Sequence, residues 1–126
     1  MKRLLLLFSL VLAFFLAVSK EKSSVVTTSS TRSSIALAKH LRSSGAVKYS
    51  VHWCPYCHKQ NQLFGKKAAS ILRIVECEPN GKINKLCKQK GIIGYPSWEI
   101  NGIIESGIKS LDVLAELSNY DGEKDF

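Results

Sequence analysis

The 126-residue sequence has a single methionine, Met1, and only three prolines. No segment repeats at the spacing of roughly 20–50 residues that marks solenoids and propellers. No apolar run reaches the roughly 20 residues of a comfortable membrane span. No nucleic-acid-binding motif is present, so the net charge of +8 has to be read another way. A 45% hydrophobic share with 22% charged residues excludes wholesale disorder. The length allows one domain and leaves little room for two. Against this ordinary background stand four cysteines, Cys54, Cys57, Cys77 and Cys87. In so short a chain they are the most informative part of the composition.

Met1, Lys2 and Arg3 form a short positive start, and Leu4 to Val18 is apolar apart from Ser9. Ala17-Val18-Ser19 puts small residues where an exported-protein signal peptidase inspects them. Residues 1–19 are therefore expected to be a secretory signal cleaved after Ser19, with an uncleaved N-terminal anchor as the alternative. Export changes the meaning of the cysteines, because an oxidising compartment permits disulfides that a cytosol would reduce. The charge is uneven. Residues 20–48 carry six basic and one acidic side chain, residues 59–90 eight and two, and residues 91–126 two and seven. A solvated basic face is the plain reading, and attraction to an anionic membrane surface or an acidic partner is the other.

Residues 20–34 are rich in Ser, Thr and charge and are expected to be a flexible linker. From Ile35 the pattern turns helical: Ile35, Ala38 and Leu41 recur at three-residue steps, Ser33 or Ser34 is placed to cap the start, and Gly45 to end it. Val47, Tyr49, Val51 and Trp53 then alternate with Lys48, Ser50 and His52, which predicts a strand running into Cys54-Pro55-Tyr56-Cys57. Pro55 suits a first helical turn, and Cys57, Phe64, Ala68 and Ile71 fall on one helical stripe. A β-branched run from Arg73 to Cys77 predicts a second strand, and residues 83–90 a turn or two of helix. Ser97–Ile100 and Ile103–Ser106 flank Asn101-Gly102, a strong hairpin signal. Leu111, Leu114, Ala115 and Leu117 predict a last helix. Strands joined through a helix should be parallel, and a hairpin is antiparallel. The expectation is an α/β fold with a four-stranded mixed sheet flanked by helices.

A CxxC pair between a strand and a helix has a specific chemical use. At the helix start, free N–H groups and the helix dipole favour a thiolate on the first cysteine and lower its pKa. The second lies one turn inward and resolves the mixed disulfide that the first forms. Cys54 is thus expected to be the exposed nucleophile and Cys57 the resolving thiol, sheltered by Trp53 and Tyr56. Two other uses of these residues stay open. Cys54-Pro55-Tyr56-Cys57-His58 also fits the c-type haem attachment signal, although no methionine remains as an axial ligand once the signal is removed. Zinc would require a second closely spaced pair, whereas nine residues separate Cys77 from Cys87. A disulfide between Cys77 and Cys87 is favoured over two buried free thiols, as a structural bond rather than an electron relay. His52 is either a solvated strand residue or a group that tunes Cys54.

Trp-Cys-Pro-Tyr-Cys after a strand, with Gly-Tyr-Pro before a hairpin, resembles the thioredoxin fold. That resemblance implies a cis Pro96 beside the CxxC pair and a backbone contact to substrate from Tyr95. It also implies a buried acid six residues before the first cysteine, where this chain has Lys48. Lys48 then either assists electrostatically or extends its head to water. A closer likeness covers residues 35–120 through WCPYCHKQ, LFGKKA, VEC, the Cys87 segment, GYPSWEING and SG-IKSLDVLAELS. These segments are similar to the thioredoxin-like domain fused to, or partnering, bacterial and plant vitamin K epoxide reductase homologues. The likeness implies a thiol–disulfide oxidoreductase in the periplasm or thylakoid lumen, tethered if residues 1–19 are retained. It would oxidise exported protein dithiols and pass electrons to a membrane quinone-linked vitamin K epoxide reductase homologue. It is expected to act as a monomer without a cofactor, followed by a short tail over 121–126. A glutaredoxin, for which Cys-Pro-Tyr-Cys is the usual site, would need a Thr-Val-Pro segment and a Gly-Gly pair. This chain has Gly94-Tyr95-Pro96 and Ser106-Gly107 instead. A glutaredoxin-like reductase or isomerase, and a redox-inert binding module, are the alternative functions.

Overall fold

The computed structural model describes residues 25–126. The expected signal or anchor, residues 1–19, and the first part of the expected linker lie outside the described residues. In chain order the elements are α1 (Arg32–Ser43), β1 (Val47–Ser50), α2 (Pro55–Phe64), α3 (Lys66–Ile71), β2 (Ile74–Glu76), α4 (Lys85–Gln89), β3 (Ser97–Ile100), β4 (Ile103–Ser106) and α5 (Leu111–Leu117). The four strands form one mixed sheet in the order β2-β1-β3-β4. β1 pairs parallel with β2, with Lys48 opposite Ile74, and antiparallel with β3, with Lys48 opposite Trp98. Asn101 and Gly102 take φ values of 50° and 77° between β3 and β4, the left-handed pair that a two-residue hairpin turn requires. This is the α/β architecture of the thioredoxin-like fold.

Two apolar clusters pack against the sheet, one on a single face and the other around the end of β1. On that face, Leu37, Ala38 and Leu41 of α1, Phe64 of α2, Ala68 and Ala69 of α3 and Leu111, Leu114 and Ala115 of α5 pack with Trp98 and Ile100. The period-two geometry of a strand puts Lys48 on this face beside Trp98. The other cluster holds Tyr49, Val51 and Ile92 together with all four cysteines.

Four expectations change. The segment read as a flexible linker is packed from residue 27 onward. Thr28 Oγ1 donates to Gln62 O at 2.6 Å, and Ser30 Oγ accepts from Ala68 N at 2.9 Å. The first helix begins three residues early, capped by Thr31, whose hydroxyl accepts from Ser34 N–H at 3.0 Å. Ser33 and Ser34 therefore lie inside the first turn, and both are buried. The strand read through Trp53 ends at Ser50, because Cys54 N–H donates to Val51 O at 3.2 Å and turns the chain out of the sheet. Finally, the stripe from Cys57 to Ile71 is two helices. Gly65, at φ 83°, separates them where residues 29 and 30 cross, and a Cβ there would lie 2.5 Å from Ser30 N.

Candidate active site

The turn that closes on Val51 delivers Cys54 as the cap of α2, with Pro55 in the first turn. The Cys54 sulfur accepts the N–H of Cys57 at 3.1 Å, so a side-chain cap joins the two cysteines across one helical turn. Both are free thiols here. On its other side the Cys54 thiol points at the carbonyl of Tyr95, 3.6 Å away. The Tyr95–Pro96 peptide is cis, and Pro96 is fully buried behind it. Cys54, Cys57, Tyr95 and Pro96 thus converge from α2 and the segment before β3.

Cys54 differs from its expected state. It is 6% exposed and Cys57 is 3%, because the capping contact folds the Cys54 sulfur back over the helix and under the Tyr95 carbonyl. Burial pushes the Cys54 thiol up, to about 11, and the neighbouring Cys57 thiol adds to the rise. The N–H groups of Cys57 and Tyr56 oppose this without overcoming it. The helix start does act on Cys54, but in the free dithiol protein desolvation outweighs it.

Around this buried pair the surface is apolar and open. Trp53 is 60% exposed, Tyr56 is 59%, and Ile93, two residues before Tyr95, is 94%. The expectation that Trp53 and Tyr56 shelter the pair gives way to one of flanking aromatic surface. Lys59 Nζ sits 5.5 Å from the centre of the Tyr56 ring and orients it from one side. His52 is not brought to the pair. Its exposed ring faces Glu76, with 3.4 Å between Nδ1 and Oε1.

Cys77 and Cys87 form a disulfide, with Cα atoms 5.7 Å apart, that ties the end of β2 to α4. Asn84 shapes the approach: its side chain caps α4 through Cys87 N–H at 2.8 Å, and its own N–H donates to Cys77 O at 2.7 Å. Both sulfurs are committed to that bond and fully buried, so they offer no thiolates to a metal. The described residues contain no group of three or more His, Cys, Asp or Glu side chains placed to hold an ion.

No family model matches the sequence. The chain is similar to the thiol-disulfide oxidoreductase LTO1 of Arabidopsis thaliana. The two are 43% identical over 100 residues, which cover 75% of this chain and 27% of LTO1. The chain therefore spans about a quarter of that relative's length.

Two buried polar residues, with the half-buried Asn61 beside them, complete the site's surroundings. Lys48 is fully buried, and its ammonium donates to Asn61 Oδ1 on α2. Of the two readings of Lys48, the one that sends its head to water is thereby excluded. Gln60, also fully buried, receives Trp98 Nε1–H at 3.1 Å and Lys109 N–H at 2.8 Å, and gives its own amide to Lys109 O at 2.9 Å. It fixes α2 against β3 and the segment before α5. Neither Gln60 nor Asn61 stands out in the sequence. The one signal for them is their spacing, three and four residues after Cys57, which puts polar groups on the buried side of the same helix.

Proposed function

We propose that this protein is a thiol–disulfide oxidoreductase whose reacting groups are Cys54 and Cys57. One observation carries the reading: two free thiols at a helix start, linked by the Cys57 N–H to Cys54 Sγ contact and set against a backbone carbonyl in an apolar surround. The likeness to LTO1, itself named a thiol-disulfide oxidoreductase, supports it. Oxidation of the pair removes two electrons and two protons and forms the Cys54–Cys57 bond. In the opposite half-reaction a substrate dithiol delivers both, and its own disulfide forms. Cys54 is the sulfur that exchanges with substrate, and Cys57 the one that resolves. Trp53, Tyr56 and Ile93 supply the apolar contact, and Tyr95 the backbone one.

The direction and the partners belong to the same proposal. The substrates are exported protein dithiols, in the periplasm or thylakoid lumen, and the electron acceptor is a membrane quinone-linked enzyme of the vitamin K epoxide reductase type. The likeness of residues 35–120 to domains that serve such enzymes supports this, as does the basic, then apolar, character of residues 1–19. Among the described residues no helix is long and apolar enough to cross a membrane. The test is turnover: the oxidised protein, mixed with a reduced two-cysteine peptide, should oxidise it with matching loss of the Cys54–Cys57 bond. A protein that leaves the peptide reduced, and that is also inert towards insulin disulfides in the presence of dithiothreitol, is a binding module instead.

A further inference from the structure

Lys48 stands on β1 among apolar side chains, fully buried, beside Trp98 in the sheet and facing α2. Among the described residues its one polar side-chain partner is the amide oxygen of Asn61. Asn61 and Cys57 are four residues apart on α2, so they share a helix face, and Lys48 lies one turn beneath the cysteine pair. The elements packed against it present Asn61 from α2, Trp98 from β3 and Ile74 from β2, and the titratable groups whose charge acts on it are Cys57 and, less so, Cys54. None is a carboxylate. Among the described residues the ion pairs are His52–Glu76, Lys90–Glu99 and Lys109–Glu105, and Lys48 joins none of them. Glu99 lies on the opposite face, engaged by Tyr49 and Lys90. A buried ammonium without a counter-charge costs several kcal/mol. The negative charge that could compensate this one is a thiolate of the pair.

Resting on the reading of Cys54 and Cys57 as a redox pair, we propose that Lys48 is a buried positioning residue that exchanges a proton with the pair and stabilises its reduced form. In the disulfide state Lys48 has no anion above it and is a neutral amine. A substrate dithiol then delivers two electrons and two protons, and its own sulfurs join. The Cys54–Cys57 bond breaks, one sulfur keeps a proton, the other becomes a thiolate, and the second proton resides on Lys48. Re-oxidation returns that proton with the electron pair. Burial lowers the Lys48 ammonium to about 8, while charge on Cys57, and less so on Cys54, pulls it back up. This is the behaviour expected of a cation whose protonation follows the state of the sulfurs above it. It reverses the sign of the acid implied by the thioredoxin resemblance: a cation favours the dithiol state and makes the disulfide a stronger oxidant.

The measurement is the thiol–disulfide equilibrium of Cys54–Cys57 in glutathione buffers, read by alkylation and intact mass, for wild type, Lys48→Met and Lys48→Gln. Both variants should shift the equilibrium towards the protein disulfide by roughly tenfold, about 30 mV for a two-electron couple. Gln keeps a donor for Asn61 but no charge, so a Gln variant that matches wild type would assign Lys48 a hydrogen-bonding role and overturn the proposal. Met and Gln variants that both match wild type overturn it as well. An NMR titration of Lys48 in the wild-type dithiol and disulfide forms tests the same coupling without substitution. A higher midpoint in the dithiol form is expected, and equal midpoints contradict it. If the wild-type pair does not exchange with glutathione at all, the oxidoreductase reading itself fails, a different outcome from variants that exchange like wild type.

Discussion

Single residues in β1 do opposite jobs on the two faces of the sheet. Lys48 turns towards α2 and the cysteine pair, while Tyr49 turns to the other face and gives its hydroxyl to Glu99 Oε2 at 2.7 Å. The Lys90 ammonium, 2.9 Å from Oε1, and the Tyr49 hydroxyl hold the Glu99 carboxyl below its usual 4.5. Burial and Glu99 push the Tyr49 phenol up to about 12, so it remains a donor at ordinary pH. A carboxylate whose folded pKa is depressed stabilises the fold above its unfolded pKa and loses that contribution as pH falls through the folded value. Glu99→Gln should therefore cost roughly 1–2 kcal/mol near pH 7. Urea unfolding as a function of pH should show the deficit shrinking on acidification below about 4.5. A deficit that does not vary with pH would mean that the charge is not what matters. None of this network shows in the sequence, because the pairing of β1 with β3 brings Tyr49 to Glu99 and the end of α4 brings Lys90 there.

At the scale of elements, the sequence is most legible where a local signal decides the structure. Asn101-Gly102 demands left-handed backbone at both positions and obtains it. The alternation around Tyr49, and the apolar spacing of Leu111, Leu114 and Ala115, likewise point to the elements observed. Legibility fails where a distant segment intervenes. Gly65 interrupts a continuous helical stripe because residues 29 and 30 pass over it, and Lys66 N–H and Ala68 N–H bond to Thr28 O and Ser30 Oγ. Low-complexity Ser and Thr there read as a linker, yet the Thr28 carbonyl and the Ser30 hydroxyl are what serve the free N–H groups at the start of α3. Gly65→Ala would combine a positive φ with a Cβ 2.5 Å from backbone. We expect a loss of about 2 kcal/mol or more. Hydrogen exchange should speed up first at Lys66 and Ala68. An unchanged melting temperature would contradict the close crossing of residues 29 and 30.

Over the whole molecule, the chemistry is gathered at the end of β1, where one apolar cluster holds both cysteine pairs. The helix start that points to Cys54 was plain in the sequence. Its burial was not, because the Tyr95 carbonyl reaches it from the chain 41 residues on. The Cys77–Cys87 bond closes a short loop and supports this end of the sheet. Replacing both cysteines by serine should lower stability by about 3 kcal/mol on the chain-entropy scale. Exchange at Cys54–Cys57 should persist, and chemical denaturation beside a peptide-oxidation assay checks both parts. Complete loss of exchange in a folded double variant would make Cys77 and Cys87 part of the electron path.

The reaction at Cys54 is tested most directly by trapping. Cys57→Ser removes the resolving sulfur and leaves the sulfur beside Tyr95 in place. Incubated with a peptide disulfide at a pH high enough to ionise a raised Cys54 thiol, it should accumulate a mixed disulfide, mapped to Cys54 by peptide mass spectrometry. Cys54→Ser under the same conditions should capture nothing. Adducts on Cys57 in the Cys54→Ser protein, or none in either variant, would contradict the account.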